Sequence, residues 1–265
     1  MTTALAQNPY LLVDRDDTIV TITINRPEKL NAFTIDVWRD LGTDFLALSE
    51  DDTVRCIVLR GAGEKAFSPG NDISEFETSR SNKEQAVKYG EVMRRTIEAI
   101  GNCRHPVVAQ IHGICVGGGM EIASLADVRI CGSSSRFGVP IKNLGLVMSY
   151  SELAPLVKLV GPSTALAVLL EGTIFGADKA LELGVVTRVV PDADVAAEAR
   201  LTAERIAAGA PLVARWHKKF VRRLLAGGEL TEAERDEAFD CFDTEDFRTG
   251  YHAFLRKDTP VFTGR

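Results

Sequence analysis

Pro106-Val107-Val108-Ala109-Gln110-Ile111-His112-Gly113 leads through Ile114-Cys115-Val116 into Gly117-Gly118-Gly119-Met120-Glu121-Ile122-Ala123, and this passage decides how the chain is read. Val107 to Ile111 is a short apolar run ahead of turn-forming residues, the pattern of a buried strand. The glycines mark a tight turn that opens a helix. Three consecutive residues without Cβ let the backbone approach a bound group closely and turn its N–H groups outward. The unpaired N–H groups and dipole of the next element then favour negative charge. Glu121, in the first turn of that helix, is placed to move a proton. The same residues also suit a plain strand-to-helix turn in which Glu121 only complements the dipole, for ~0.3 to 1 kcal/mol. Spacing alone leaves both open.

On either side the chain alternates strands and helices. Thr18 to Ile24 places Val20, Ile22 and Ile24 on one face and Thr21 and Thr23 on the other, the period of a half-buried strand. Asn25-Arg26-Pro27 breaks it, and Trp38, Leu41, Phe45 and Leu48 then recur at helical spacing behind Thr34, an N-cap. Cys56 to Leu59 is a buried strand running into Phe67-Ser68-Pro69-Gly70, a helix is expected from about Lys83 to Ile100, and Val128 to Cys131 is a further strand. The Cys56–Gly70 stretch is faintly echoed by Val128-Arg129-Ile130-Cys131 leading to Phe137-Gly138-Val139-Pro140, a repeated strand-loop unit. Helices are expected over Pro162–Leu170, Ala177–Leu183, Val195–Ala208 and Pro211–Ala226, the last ended by Gly227-Gly228. The fold class is α/β.

Composition narrows the function classes. The 265 residues suit one large core with an add-on, and 45% hydrophobic with 26% charged residues is the balance of a folded chain. Met1 to Tyr10 lacks a signal-peptide pattern and no later stretch reaches ~18 uninterrupted apolar residues, so a cytoplasmic protein without a membrane partner is expected. Cys56, Cys103, Cys115, Cys131 and Cys241 show no paired spacing and read as free thiols. His105, His112, His217 and His252 have no metal spacing, so no metal site is expected. A net charge of -6 argues against nucleic acid as a partner. The one basic stretch, Arg215 to Arg223, reads as a helix with Trp216, Phe220 and Leu224 toward the core and Lys218, Lys219, Arg222 and Arg223 in solvent. No dinucleotide fingerprint is present.

The passage around the glycines resembles the enoyl-CoA hydratase/isomerase (crotonase) superfamily: Pro106-Val107, Gly117 to Gly119, Glu121 and Ala123-Ser124-Leu125-Ala126-Asp127 match its pattern in order. So do Asn25-Arg26-Pro27-Glu28-Lys29-Leu30-Asn31-Ala32, Lys65-Ala66-Phe67-Ser68-Pro69-Gly70-Asn71-Asp72 and Arg136 to Pro140. Gly176 to Val186 and Asp246 to Leu255 extend the likeness over nearly the whole chain. The resemblance implies a spiral of repeated strand-strand-helix units over residues 1–200 and a C-terminal helical oligomerisation region over 201–265, assembled as a homo-trimer or hexamer. It implies an acyl-CoA thioester as substrate, CoA being part of that substrate and no separate cofactor being needed. By motif position, the backbone N–H groups of Asn71 and Gly118 would form an oxyanion hole for a thioester enolate, with Glu121 as acid/base. Substrate contacts would come from Arg26, Lys29, Ala32, Pro69, Gly70, Asp72, Ile73, Gly117, Ile141, Phe254 and Lys257. Of these, Asp72 is expected to hold its own loop rather than touch substrate.

The chain departs from the pattern at two places. Family hydratases carry a second catalytic Glu where this chain has Ile141, which cannot move a proton. The Gly-rich run after the family's Leu-Gly is replaced by Leu146-Val147-Met148-Ser149-Tyr150-Ser151-Glu152. Three outcomes fit: Glu121 acts alone, as a double-bond isomerase requires; Glu152, Tyr150 or Ser149 replaces the missing group; or the chain binds CoA esters, or RNA as some relatives do, without catalysis.

Overall fold

The computed structural model describes residues 5–265. Its strands are β1 (Leu11–Asp16), β2 (Ile19–Ile24), β3 (Cys56–Gly61), β4 (Ala66–Ser68), β5 (Val107–Ile111), β6 (Ile114–Val116), β7 (Val128–Gly132), β8 (Arg136–Gly138), β9 (Phe175–Gly176) and β10 (Arg188–Val190). The α-helices are α1 (Ile35–Glu50), α2 (Phe76–Ser79), α3 (Lys83–Asn102), α4 (Gly118–Ser124), α5 (Tyr150–Glu171), α6 (Ala177–Glu182), α7 (Val195–Ala207), α8 (Pro211–Ala226), α9 (Glu232–Asp236) and α10 (Glu245–Arg256).

The strands divide between two sheets in a regular way. One sheet runs β1-β2-β3-β5-β7-β10 and the other β4-β6-β8-β9. The chain therefore leaves the first sheet for the second three times, at β3 to β4, β5 to β6 and β7 to β8, and each time a helix follows. This is the spiral of strand-strand-helix units, and the echo of Cys56–Gly70 in Val128–Pro140 is two turns of it. The pairings β2/β3, β3/β5, β5/β7 and β7/β10 are parallel, which requires helical crossovers between them.

Alternation along the buried strands builds two cores. Ile57, Leu59, Val107, Ala109 and Ile111 join Trp38, Phe45, Met93 and Ile100 of α1 and α3 in the main cluster. Cys56, Val58, Val108 and Ile130 point to the opposite face. There Ala199, Ala203 and Ala207, spaced four apart on α7, let that helix lie close against the sheet. Helix α7 spans residue 200 and packs against the first sheet.

Two expectations are corrected. Helix α5 begins at Tyr150, well before the expected Pro162, and it is kinked at Gly161, whose φ of 76° is not helical. Ser149 caps it and Glu152 reciprocates from the third position, a Ser-x-x-Glu capping box that the sequence displays. By length and mean hydropathy this helix matches a membrane span. Its kink and its packing on α4, with Leu156, Ala165 and Val168 buried, make it the roof of the site instead.

Helix α8 departs from expectation at Lys218, Arg222 and Leu224, while Lys219 is exposed as expected. Lys218 Nζ donates to His105 O and Asp127 Oδ2, both at 2.5 Å, and Arg222 Nη1 donates to Cys103 O at 3.0 Å. Arg215 donates to Asp52 Oδ1 at 3.0 Å. Trp216 and Phe220 are half-buried, and Leu224 is 64% exposed. The segment from α3 to β5 leaves carbonyls and Asp127 in need of donors, and long basic side chains satisfy them while their stems cover the surface. Removing that donor in Lys218→Met is expected to lower unfolding stability by about 1 to 3 kcal/mol in urea titration, whereas an unchanged midpoint would return Lys218 to a solvated role.

Candidate active site

Parallel pairing of β4 with β6, which sets Ser68 beside Cys115, brings the ends of both strands together. Asn71 follows one end and Gly118 the other. Gly70 and Gly117 make the approach possible, with φ of 96° and 54°, in the left-handed region that glycine tolerates. A Cβ on Gly70 would lie 2.5 Å from Gly118 N, and one on Gly118 would lie 3.7 Å from Asn71 N. The two amides are thus close neighbours. Among the described residues neither has a protein acceptor.

Asn71 is held on both sides. Phe33 N donates to Gly70 O and Asp72 N to Phe33 O, each at 2.8 Å, fixing the peptide planes around it. Its Oδ1 accepts from Trp38 Nε1 at 2.6 Å. The side chain is therefore engaged with the core, and the backbone N–H is left unbonded.

Glu121 sits one turn into α4 at 3% exposure, and its Oε1 has no hydrogen-bond partner among the described residues. Burial pushes its carboxyl well above the ordinary value of 4.5, the charge on Glu152 pushes the same way, and Arg80 opposes them. A carboxyl shifted this way holds its proton to higher pH than an ordinary one, which suits a group that delivers it.

The donors and Glu121 open on a cavity of about 280 Å³. Pro69, Asn71, Ile73, Gly117, Gly118, Glu121 and Ile141 of the expected site all line it. Gly70 stands directly behind the two donors. Glu152 also lines the cavity, while Tyr150 is 94% exposed and Ser149 is occupied as the cap of α5. Ile141 contributes an aliphatic wall. Sequence inspection missed Arg80 and Phe76, which line the cavity from α2 and its end. Neither sits in a recognisable pattern; only their nearness to the Gly70-Asn71-Asp72 turn signals them.

Other expected contacts are placed elsewhere. Arg26 is 8% exposed and is spent on its own loop, donating to Ala32 O at 2.7 Å and Asp72 Oδ2 at 3.1 Å, with its guanidinium over the Tyr10 ring. Asp72 accepts from Ser74 N and Oγ as well, bonds that with Arg26 hold its carboxyl below the usual range. Both residues brace the loop. Lys29 is exposed nearby, and Phe254 and Lys257 lie at the end of α10, outside the cavity of their own chain.

Two free backbone donors beside a buried protonatable carboxyl define a site for stabilising an oxyanion while a proton moves at the neighbouring carbon. Proteins of known family share this arrangement of chain. The sequence profile described as Enoyl-CoA hydratase/isomerase matches residues 14–265, and the chain belongs to that family. It is 31% identical to the short-chain-enoyl-CoA hydratase of Clostridium acetobutylicum, over 93% of this chain and 95% of that protein. The crystal structure of an enoyl-CoA hydratase/carnithine racemase from Magnetospirillum magneticum superposes with a TM-score of 0.96 at 45% identity, covering 98% of each chain. The enoyl-CoA hydratase of Bacillus anthracis follows at 0.91 and 29% identity, covering 97% of this chain and 100% of that one. The chain is an acyl-CoA-processing enzyme of the crotonase type.

Two variants probe the geometry. Gly70→Ala would set a methyl against Gly118 N and is expected to cut kcat/KM by about 10²- to 10³-fold in a folded protein; turnover near that of the wild type would remove this donor from the site. Glu121→Gln reports on burial. Because folding holds the Glu121 proton to higher pH, the unfolded chain loses it first as pH rises past 4.5, and wild-type stability falls until the folded carboxyl also ionises. The variant lacks that loss, so it should gain in Tm over the wild type between about pH 4 and pH 7. An equal difference at both pH values contradicts the shift.

Proposed function

We propose that the chain hydrates a 2-enoyl-CoA thioester, with Glu121 and Glu152 as an acid and base pair across one cavity. The observation that carries this is the presence of both carboxyls beside the unbonded N–H groups of Asn71 and Gly118. The thioester oxygen would accept from both amides, which stabilise the enolate charge as it develops. Water adds across the double bond: Glu152 takes one proton from it, the hydroxyl joins C3, and Glu121 delivers its proton to C2. Their environments support this division. Glu121 is buried with its carboxyl pushed up, whereas one oxygen of Glu152 accepts from Ser149 N at 2.7 Å at the start of α5.

The aliphatic Ile141 in the same wall favours a second reaction, isomerisation with Glu121 alone lifting and returning a proton. Incubation with 2-enoyl-CoA and 3-enoyl-CoA esters in D₂O, followed by mass spectrometry, separates the two. The hydratase gains the mass of water on the 2-enoyl ester, and Glu152→Gln lowers that rate by about 10²-fold or more. Deuterium gain without water would mark an isomerase, and no change with any ester a binding protein.

We further propose that the tail assembles copies of the chain into a trimer or a hexamer. Phe239, Phe242 and Phe254 are 65%, 55% and 84% exposed, more apolar surface than one chain covers. In such an assembly Lys29, Phe254 and Lys257 would serve the CoA moiety, Phe254 and Lys257 from a neighbouring copy.

A further inference from the structure

Arg80 is out of keeping with the walls around it. Ile141, Leu144, Val147 and Met148 give the cavity beyond the two donors an aliphatic stretch, and Arg80 lines it together with Asn143 and Glu152. It is clamped between two aromatic rings, 4.8 Å from the centroid of Phe76 and 4.8 Å from that of Tyr89. Stacking on ring faces fixes the plane of a guanidinium while leaving its edge, which carries the N–H fork, unused.

Glu121, on the same cavity, feels the charge of Arg80 without pairing with it, and the other carboxylates nearby have donors of their own. Glu75 Oε2 accepts from Ile35 N at 2.9 Å and from Tyr89 Oη at 3.1 Å. Asp72 is taken by Arg26 and Ser74, and Glu152 by Ser149 N. Among the described residues Arg80 forms no ion pair, although Arg26 on the neighbouring loop does. A half-buried guanidinium held on two ring faces, with no ion-pair partner among the described residues, leaves its N–H fork for an anion that the ligand supplies.

We propose that Arg80 selects acyl groups bearing a second, distal carboxylate, so that the substrates are CoA monothioesters of dicarboxylic acids. The thioester end would occupy the Asn71 and Gly118 donors, and the far carboxylate would dock on the Arg80 fork. The proposal rests on the acyl-thioester reading of the cavity but not on which reaction follows.

Saturated esters test it by binding alone. Succinyl-CoA and glutaryl-CoA are compared by calorimetry with 4-methylpentanoyl-CoA and 5-methylhexanoyl-CoA, which replace the carboxylate by an isopropyl group of the same shape. At least one dicarboxylic ester is expected to bind about tenfold or more tightly than its neutral partner. Arg80→Met should bring that pair within about threefold, and Arg80→Lys, which keeps charge without the fork, should fall between. Equal or tighter binding of both neutral esters to the wild type overturns the proposal, as does a preference that survives Arg80→Met. The wild-type comparison needs no variant to fold. A carboxylate preference with no reaction in D₂O would instead overturn the proposed hydration and leave the role of Arg80 standing.

Discussion

Everything in the site depends on two backbone amides that the fold leaves without acceptors. An unpaired N–H in a protein interior costs free energy, so the structure must hold Asn71 and Gly118 in place by other means. It does so with the parallel pairing of β4 and β6, the Phe33 clasp on either side of Asn71, and the Trp38 bond to the Asn71 side chain. Gly70 has no Cβ because a methyl there would occupy the space next to Gly118 N. A ligand oxygen completes the pair.

Around that pair the chain sorts its carboxyls by environment. Glu121 is buried in the cavity wall, and burial pushes its carboxyl up. Glu152 enters the cavity from the capped start of α5, opposite the aliphatic wall that Ile141 contributes.

Much of this was legible in the sequence, for reasons that differ by element. The buried strands announced themselves through apolar runs, and the Gly117–Gly119 turn with Glu121 through a backbone requirement that only glycine meets. The orientation of α8 was not legible, because hydrophobic spacing gives Trp216, Phe220 and Leu224 one face but says nothing of the orphan carbonyls of Cys103 and His105 that attract Lys218 and Arg222. Arg26 looked free for a substrate contact for the same reason: its partners, Ala32 O and Asp72, meet it only after folding. The first half of α5 was hidden by Pro155 and Pro162, although Ser149 and Glu152 carried its starting signal. Arg80 belongs to no pattern, and only the closure of α2 and α3 over the cavity gives it meaning.

The central claim is that a thioester oxygen sits between Asn71 N–H and Gly118 N–H. Difference infrared spectroscopy of a CoA ester labelled with ¹³C at its carbonyl observes that bond directly. The carbonyl stretch should move to lower frequency on binding to the wild-type protein, relative to the ester in water, and should lose that displacement in Gly70→Ala. A stretch at the same frequency as in water, with the ester bound, would contradict the account.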